Sequence, residues 1–165
     1  MSRWIFAVLF AANLWPAVAN ETIPDTTGSK IGTKLADLSA PDYYGKPHTL
    51  AEYQESDAIV LVFLGTECPL VRAYAPRLTE LAKTFADKKV TFLGINSNRQ
   101  DSLEEIKAYA RQYGIEFPIL KDNDSRIADL VGAIRTPEAV VLDRQRIIRY
   151  HGRIDDRMGV GYAKN

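Results

Sequence analysis

The sequence predicts an α/β domain, a central mixed β-sheet flanked by helices, with a β-hairpin in front of it. Three observations carry that prediction. Residues 58–64 (Ala-Ile-Val-Leu-Val-Phe-Leu) and 90–95 (Val-Thr-Phe-Leu-Gly-Ile) are apolar runs of the kind found in strands buried on both faces. Between them Leu78, Leu81, Ala82 and Phe85 recur at i, i+3, i+4 and i+7, the stripe of a helix laid on a sheet. After two more helical patterns come strand 139–142, a polar turn at 143–145 and strand 146–150, which read as a closing hairpin. The order strand, helix, strand, helix, short strand, helix, strand, strand makes the central strands parallel and the last pair antiparallel.

Residues 1–19 stand outside this domain. Met1-Ser2-Arg3 is a short positive start, an apolar stretch follows, and Ala17-Val18-Ala19 is a small-x-small cleavage signature, so the segment reads as a secretory signal peptide. Both tryptophans, Trp4 and Trp15, leave with it. Without Arg3 the chain carries 20 basic against 21 acidic side chains, which gives no electrostatic case for nucleic acid or an anionic membrane. Residues 20–34 are polar, with Pro24, Gly28 and Gly32, and read as a flexible leader.

The domain proper is expected over 35–156. Residues 35–38 and 42–49, turning at Gly45-Lys46-Pro47, make the short hairpin. The first helix contains Pro76, which removes one backbone bond and predicts a kink, and Lys88-Lys89 closes the helix. Ser102 with Glu105 forms a capping box for a second helix, whose stripe is Leu103, Ile106, Ala110 and Tyr113 and whose stop is Gly114. Residues 117–120 are a short apolar stretch. Asp124 or Ser125 caps a third helix with Ile127, Leu130 and Val131 inward and Gly132 as its stop. Asp122-Asn123-Asp124 lacks the glycine and distal glutamate of a calcium loop and belongs to that cap.

Chemistry concentrates at Cys68, the only cysteine. It follows the first buried strand across Gly65-Thr66-Glu67 and precedes Pro69, a residue suited to the first position of a helix. That places the thiol at a helix N-cap, where free N–H groups and the macrodipole stabilise a thiolate, with Arg72 one turn on adding to the effect and Glu67 opposing it. With one cysteine the chain holds no internal disulfide. One cysteine with His48 and His151 makes a poor metal set, so neither metal nor cofactor is called for.

Cys68-Pro69, followed by Ala75-Pro76, Leu78 and Glu80-Leu81, resembles the active-site strand, loop and helix of thioredoxins. Thr136-Pro137 before an apolar strand ending in Asp143 is similar to the Thr–cis-Pro turn that faces the thiol in that fold. With the leading hairpin, the chain from Lys34 to Asp156 resembles the redoxin branch, the alkyl hydroperoxide reductase/thiol-specific antioxidant (AhpC/TSA) superfamily and the periplasmic thiol–disulfide proteins. The resemblance implies a thioredoxin-like fold with Cys68 as the reactive thiol and Pro69 shaping its surroundings. It places Thr136, Pro137, Thr66 and Arg135 around a substrate, and it implies secretion to a bacterial periplasm.

Departures from the pattern are equally informative. Val71 stands where a resolving second cysteine would be, which excludes a self-resolving dithiol cycle. Position 65, where peroxiredoxins carry Thr or Ser, is Gly, with Thr66 offset by one; Arg135 only neighbours the place of their peroxide-orienting arginine. The helix that usually follows the last hairpin has no counterpart in the pattern, so 157–165 reads as an irregular tail, a possible truncation point before further C-terminal domains. Two functions follow. One is an antioxidant or thiol–disulfide oxidoreductase whose Cys68 reacts with a peroxide or a disulfide and needs an external thiol to resolve it. The other is a redox-inactive thioredoxin-like binding module of a larger envelope protein.

Overall fold

The computed structural model describes residues 30–155, so the signal-peptide, most of the leader and the tail readings lie outside the described residues. The apolar run after Asp57 becomes β3 (Ala58–Phe63), which pairs on one side with β4 (Val90–Asn96) in parallel and on the other with β6 (Glu138–Asp143) in antiparallel. With β5 (Ile119–Lys121) and β7 (Ile148–Gly152) the sheet order is β5-β4-β3-β6-β7. β3 is therefore central to a mixed sheet. Ile59, Leu61 and Phe63 pack into one apolar layer with Leu93, Ile95, Val140 and Leu142, while Val62 and Leu64 pack into the other. A strand apolar on both faces is what this position demands.

The leading hairpin is β1 (Ser39–Pro41) and β2 (Pro47–Thr49), a separate two-stranded sheet turning through Gly45 at φ +81°. Of residues 35–38, expected in its first arm, Leu38 does lie across from its second arm, its carbonyl accepting from Leu50 N–H. The start of the segment instead runs beside the last hairpin: Leu35 N–H donates to the Arg146 carbonyl, and Lys34 bridges to Ile147. A one-turn 3₁₀ helix (Leu50–Tyr53) leads from the hairpin toward β3.

α1 (Pro69–Ala86) runs unbroken through Pro76. Its fully buried residues are Val71, Tyr74, Ala75 and Leu78, whereas the expected Leu81, Ala82 and Phe85 are half-buried. The first half of the helix packs in one layer with Ile106, Tyr109 and Ala110 of α2 (Leu103–Gln112). The second half borders an apolar groove of about 330 Å³ over Val60, Val62 and Val141, which leaves Leu81 and Phe85 partly open.

The capping box of α2 is present. Ser102 Oγ accepts from Glu105 N–H at 3.2 Å, and Glu105 Oε2 accepts from Ser102 N–H at 2.7 Å. Leu103 is nevertheless exposed, because it sits in the first turn beyond the edge of the layer that Ile106 enters. α3 (Arg126–Val131) corrects two expectations. Ser125 does stand at the N-cap, but its side chain makes no capping bond; the Asp122 carboxylate accepts from Ile127 and Ala128 N–H instead, both at 3.1 Å. Leu130 is exposed, since at about 100° per residue it lies off the face shared by Ile127, Ala128 and Val131.

The last strand starts later than its composition suggests. Arg146 sits in the turn at φ +64°, and its guanidinium donates to the carbonyls of Tyr53, Ser56 and Asp143. Asp143 Oδ1 accepts from Gln145 and Ile147 N–H, closing the turn before Ile148 pairs. Its carboxyl is held below the usual range, chiefly by the Ile147 N–H.

Candidate active site

Cys68 is the N-cap of α1, with extended backbone (φ −70°, ψ 117°) and Pro69 in the first turn. β3 ends at Phe63, so the five residues 64–68 carry the chain from sheet to helix. The thiol is half-buried, and Sγ lies 3.6 Å from the Thr136 carbonyl oxygen, the range of a weak S–H···O contact. The Thr136–Pro137 peptide bond is cis. β6 runs antiparallel to β3, so the turn at its start meets the end of β3. Two segments far apart in sequence thus converge on one sulfur.

Three further contacts hold the thiol loop. Thr66 N–H donates to Asp101 Oδ2 at 2.9 Å, and the Thr66 carbonyl accepts from Arg72 Nε at 2.9 Å. Tyr109 Oη donates to the Val71 carbonyl at 3.3 Å, tying α2 to the first turn of α1. Burial pushes the Tyr109 phenol well up, with Tyr113 and Cys68 adding to it.

Behind the loop lies a buried polar network that the sequence reading passed over. Asp101 Oδ2 also accepts from Asn96 Nδ2 at 2.6 Å and Asn98 Nδ2 at 3.3 Å. Buried Lys121 donates from Nζ to Asn96 Oδ1 at 3.0 Å and to the Asn98 carbonyl. Burial alone would raise the Asp101 carboxyl, but the Thr66 N–H and the amides of Asn96 and Asn98 outweigh it and hold it below the usual range. Burial pulls the Lys121 ammonium down, against the attraction of Asp101, Asp122 and Glu105. A signal for this network did exist: Asn96-Ser97-Asn98 is a polar run at the end of a buried strand, and Lys121 ends another. Polar groups so placed need partners.

Of the residues expected at the site, Cys68, Pro69, Thr136 and Pro137 come together. Thr66 belongs to the same loop, and both its backbone N–H and its side chain bond the Asp101 carboxylate rather than standing free at the sulfur. Arg135 is half-exposed, and its Nε lies 3.7 Å from Glu138 Oε1, so its charge is engaged by a glutamate. Position 65, lacking a hydroxyl, has the Asn98 amide against it. Among the described residues no group of three or more His, Cys, Asp or Glu side chains is placed to hold a metal ion.

Known proteins resemble this chain in sequence and in fold. The thiol–disulfide oxidoreductase ResA of Geobacillus thermodenitrificans is 22% identical over 142 residues, 86% of this chain and 80% of the relative. A hypothetical protein of Sinorhizobium meliloti 1021 has a crystal structure that superposes with a TM-score of 0.76 at 35% identity, over 82% of this chain and 76% of that one. A secreted Mycobacterium tuberculosis disulfide oxidoreductase, homologous to E. coli DsbE, superposes with a TM-score of 0.59 at 26% identity, over 67% and 79% of the two chains. The model of the AhpC/TSA family matches residues 31–151. Thiol at a helix start, cis-proline turn and five-stranded mixed sheet agree with that match: the chain belongs to the AhpC/TSA family and is a thioredoxin-like redoxin.

Proposed function

We propose that the chain is a thiol-dependent oxidoreductase in which Cys68 acts through single-thiol exchange. The observation that carries this reading is the position of Sγ, at the N-cap of α1 and 3.6 Å from the carbonyl of Thr136 in the cis-proline turn. The Cys68 thiolate attacks one sulfur of a substrate disulfide; a new S–S bond forms, the old one breaks, and the other sulfur leaves as thiolate. An external thiolate then attacks the mixed disulfide, releasing Cys68 with the electron pair of the broken bond. The same thiolate attacking a peroxide gives a sulfenic acid and water or alcohol, which an external thiol reduces in turn. Pro69 fixes the helix start, and Thr136, Pro137 and Thr66 supply backbone for the substrate to lie along.

Disulfides are the favoured substrate class. Gly65 offers no hydroxyl to a peroxide, and Arg135 is engaged by Glu138. The ResA relative and the DsbE homologue are themselves disulfide oxidoreductases, and the latter is secreted, which supports export of this chain to a bacterial periplasm with 1–19 as its signal peptide. The redoxin domain then occupies 35–156, preceded by the leader 20–34 and followed by the tail 157–165, with further C-terminal domains as candidate partners in a longer protein.

The test is the chemistry of Cys68. Incubated with oxidised glutathione, the protein is expected to gain one glutathione by mass at Cys68 and to lose it to excess thiol. Alkylation by iodoacetamide at neutral pH is expected to outrun that of free cysteine. No adduct, no sulfenic acid after peroxide and no faster alkylation would leave a redox-inactive binding module.

A further inference from the structure

One buried pair takes no part in that chemistry. The side chain of His151 on β7 is 2% exposed, and among the described residues its two ring nitrogens are the only buried side-chain polar atoms without a hydrogen-bond partner. Glu138, at the start of β6 and 4% exposed, brings Oε1 to 3.1 Å from His151 Nε2. That is an ion-pair separation without hydrogen-bond alignment. Oε2 of the same carboxylate accepts from the backbone N–H groups of Ile134 at 2.9 Å and Arg135 at 3.3 Å. These two residues lead directly into Thr136, whose carbonyl stands against Cys68. A continuous line therefore runs from the imidazole, through one carboxylate and two peptide groups, to the carbonyl beside the sulfur.

Burying a carboxylate and an unbonded imidazole side by side is costly unless something is gained by it. Histidine is the side chain that ordinarily changes charge near neutral pH. We propose that Glu138 is a positioning residue for the Thr136–Pro137 turn and His151 its proton-sensitive counterpart. When the imidazole takes a proton, it completes an ion pair with Glu138. The carboxylate shifts its bonding toward His151, its hold on Ile134 and Arg135 changes, and the Thr136 carbonyl is reset against Cys68. The charged groups placed around the pair are Arg135, at 3.7 Å from Oε1, and Arg153, which helps line a cavity of about 250 Å³ beside it. Both guanidinium groups have the sign that resists a cation at His151, and the carboxylate has the sign that favours one. The consequence for thiol reactivity rests on the oxidoreductase reading; the coupling between imidazole and turn does not.

The coupling is tested on the full chain by nuclear magnetic resonance between pH 5 and 9, following the His151 ring and the backbone amides of Ile134, Arg135 and Thr136. The three amides are expected to shift with the same midpoint as the ring, and to stop doing so in Glu138→Gln, whose side-chain oxygen still accepts from the turn. An imidazole that titrates while the amides stay still, or one that does not titrate in this range, overturns the proposal. If Glu138→Gln fails to fold, the wild-type titration alone decides. In parallel, the rate of Cys68 alkylation is expected to show an inflection tracking His151, of roughly three- to tenfold, the value of about one hydrogen bond. His151→Gln should erase that inflection while leaving the main thiol titration in place. A thiol no more reactive than free cysteine at any pH sinks the oxidoreductase reading, and the amide titration still decides this one.

Discussion

The side-chain amide of Asn98 occupies the space that a β-carbon on Gly65 would need: a Cβ built there lies 2.4 Å from Asn98 Nδ2. Gly65 opens the thiol loop and Asn98 belongs to the network behind it, so the two positions are sterically linked. In Gly65→Ala the Asn98 amide must swing away and give up its bond to Asp101. The expected loss is about 1 kcal/mol of stability. Removing the obstacle in Asn98→Ala should make the same glycine substitution nearly neutral, as read by urea unfolding of the four proteins of that cycle. Two additive losses would show that the clash is relieved elsewhere.

Asp101 should make the protein acid-sensitive. Its carboxyl is held below its usual range in the folded chain, so the ionised form favours folding at neutral pH. That contribution is complete above the unfolded value, near 4, and is lost as pH falls through the lower folded value. Asp101→Asn is expected to cost about 2 kcal/mol at pH 7, because a carboxylate that accepts three bonds is replaced by an amide that brings donors of its own. The same variant should flatten the dependence of unfolding free energy on pH between 5 and 2. An unchanged slope would assign the acid sensitivity to another carboxylate.

How much of this was legible beforehand differs from element to element. Residues 58–64 and 90–95 were readable as buried strands because a run apolar on both faces suits few other places. The cap of α2 was readable because Ser102 and Glu105 satisfy each other three residues apart, a local matter. That the Cys68-Pro69 and Thr136-Pro137 segments come together was legible through resemblance and order. The cap of α3 was legible only in part: the segment 122–125 read as a cap, but not that Asp122, from outside the helix, is the side chain that bonds the N–H groups of Ile127 and Ala128. The half-exposure of Leu81 and Phe85 was not legible, since it depends on what lies across the groove beside α1. Helical spacing says which residues share a face, not how far the neighbouring layer extends. Lys121 and Asp101 escaped for a related reason: each is polar, and only the fold brings their partners to them.

Val71 stands one helical turn from Cys68 and is fully buried. Val71→Cys would restore two thiols at the spacing of a dithiol motif, at a packing cost of about 1 kcal/mol. With mild oxidant the variant is expected to lose both titratable thiols and two mass units, and to recover them with a reductant. Two free thiols after oxidation would mean that the buried position keeps its side chain turned away from Sγ.

The capping box offers a control for these experiments. Ser102→Ala should cost about 1 kcal/mol, by leaving the Glu105 N–H without its acceptor. The rate of Cys68 alkylation should not change, since no contact of the thiol loop passes through Ser102. A slowed thiol would show that α2 as a whole positions the site.

The contacts that hold the thiol span long stretches of chain: 35 residues separate Thr66 from Asp101, and 68 separate Cys68 from Thr136. Such pairings form late, because closing a long loop precedes any reward for it. A chain still emerging, or halted before β6, carries the cysteine without its carbonyl neighbour and with nothing to arrange a partner beside it. A half-made molecule therefore lacks the carbonyl neighbour at Sγ on which the proposed exchange depends, and that geometry is reserved for chains in which β6 has paired with β3.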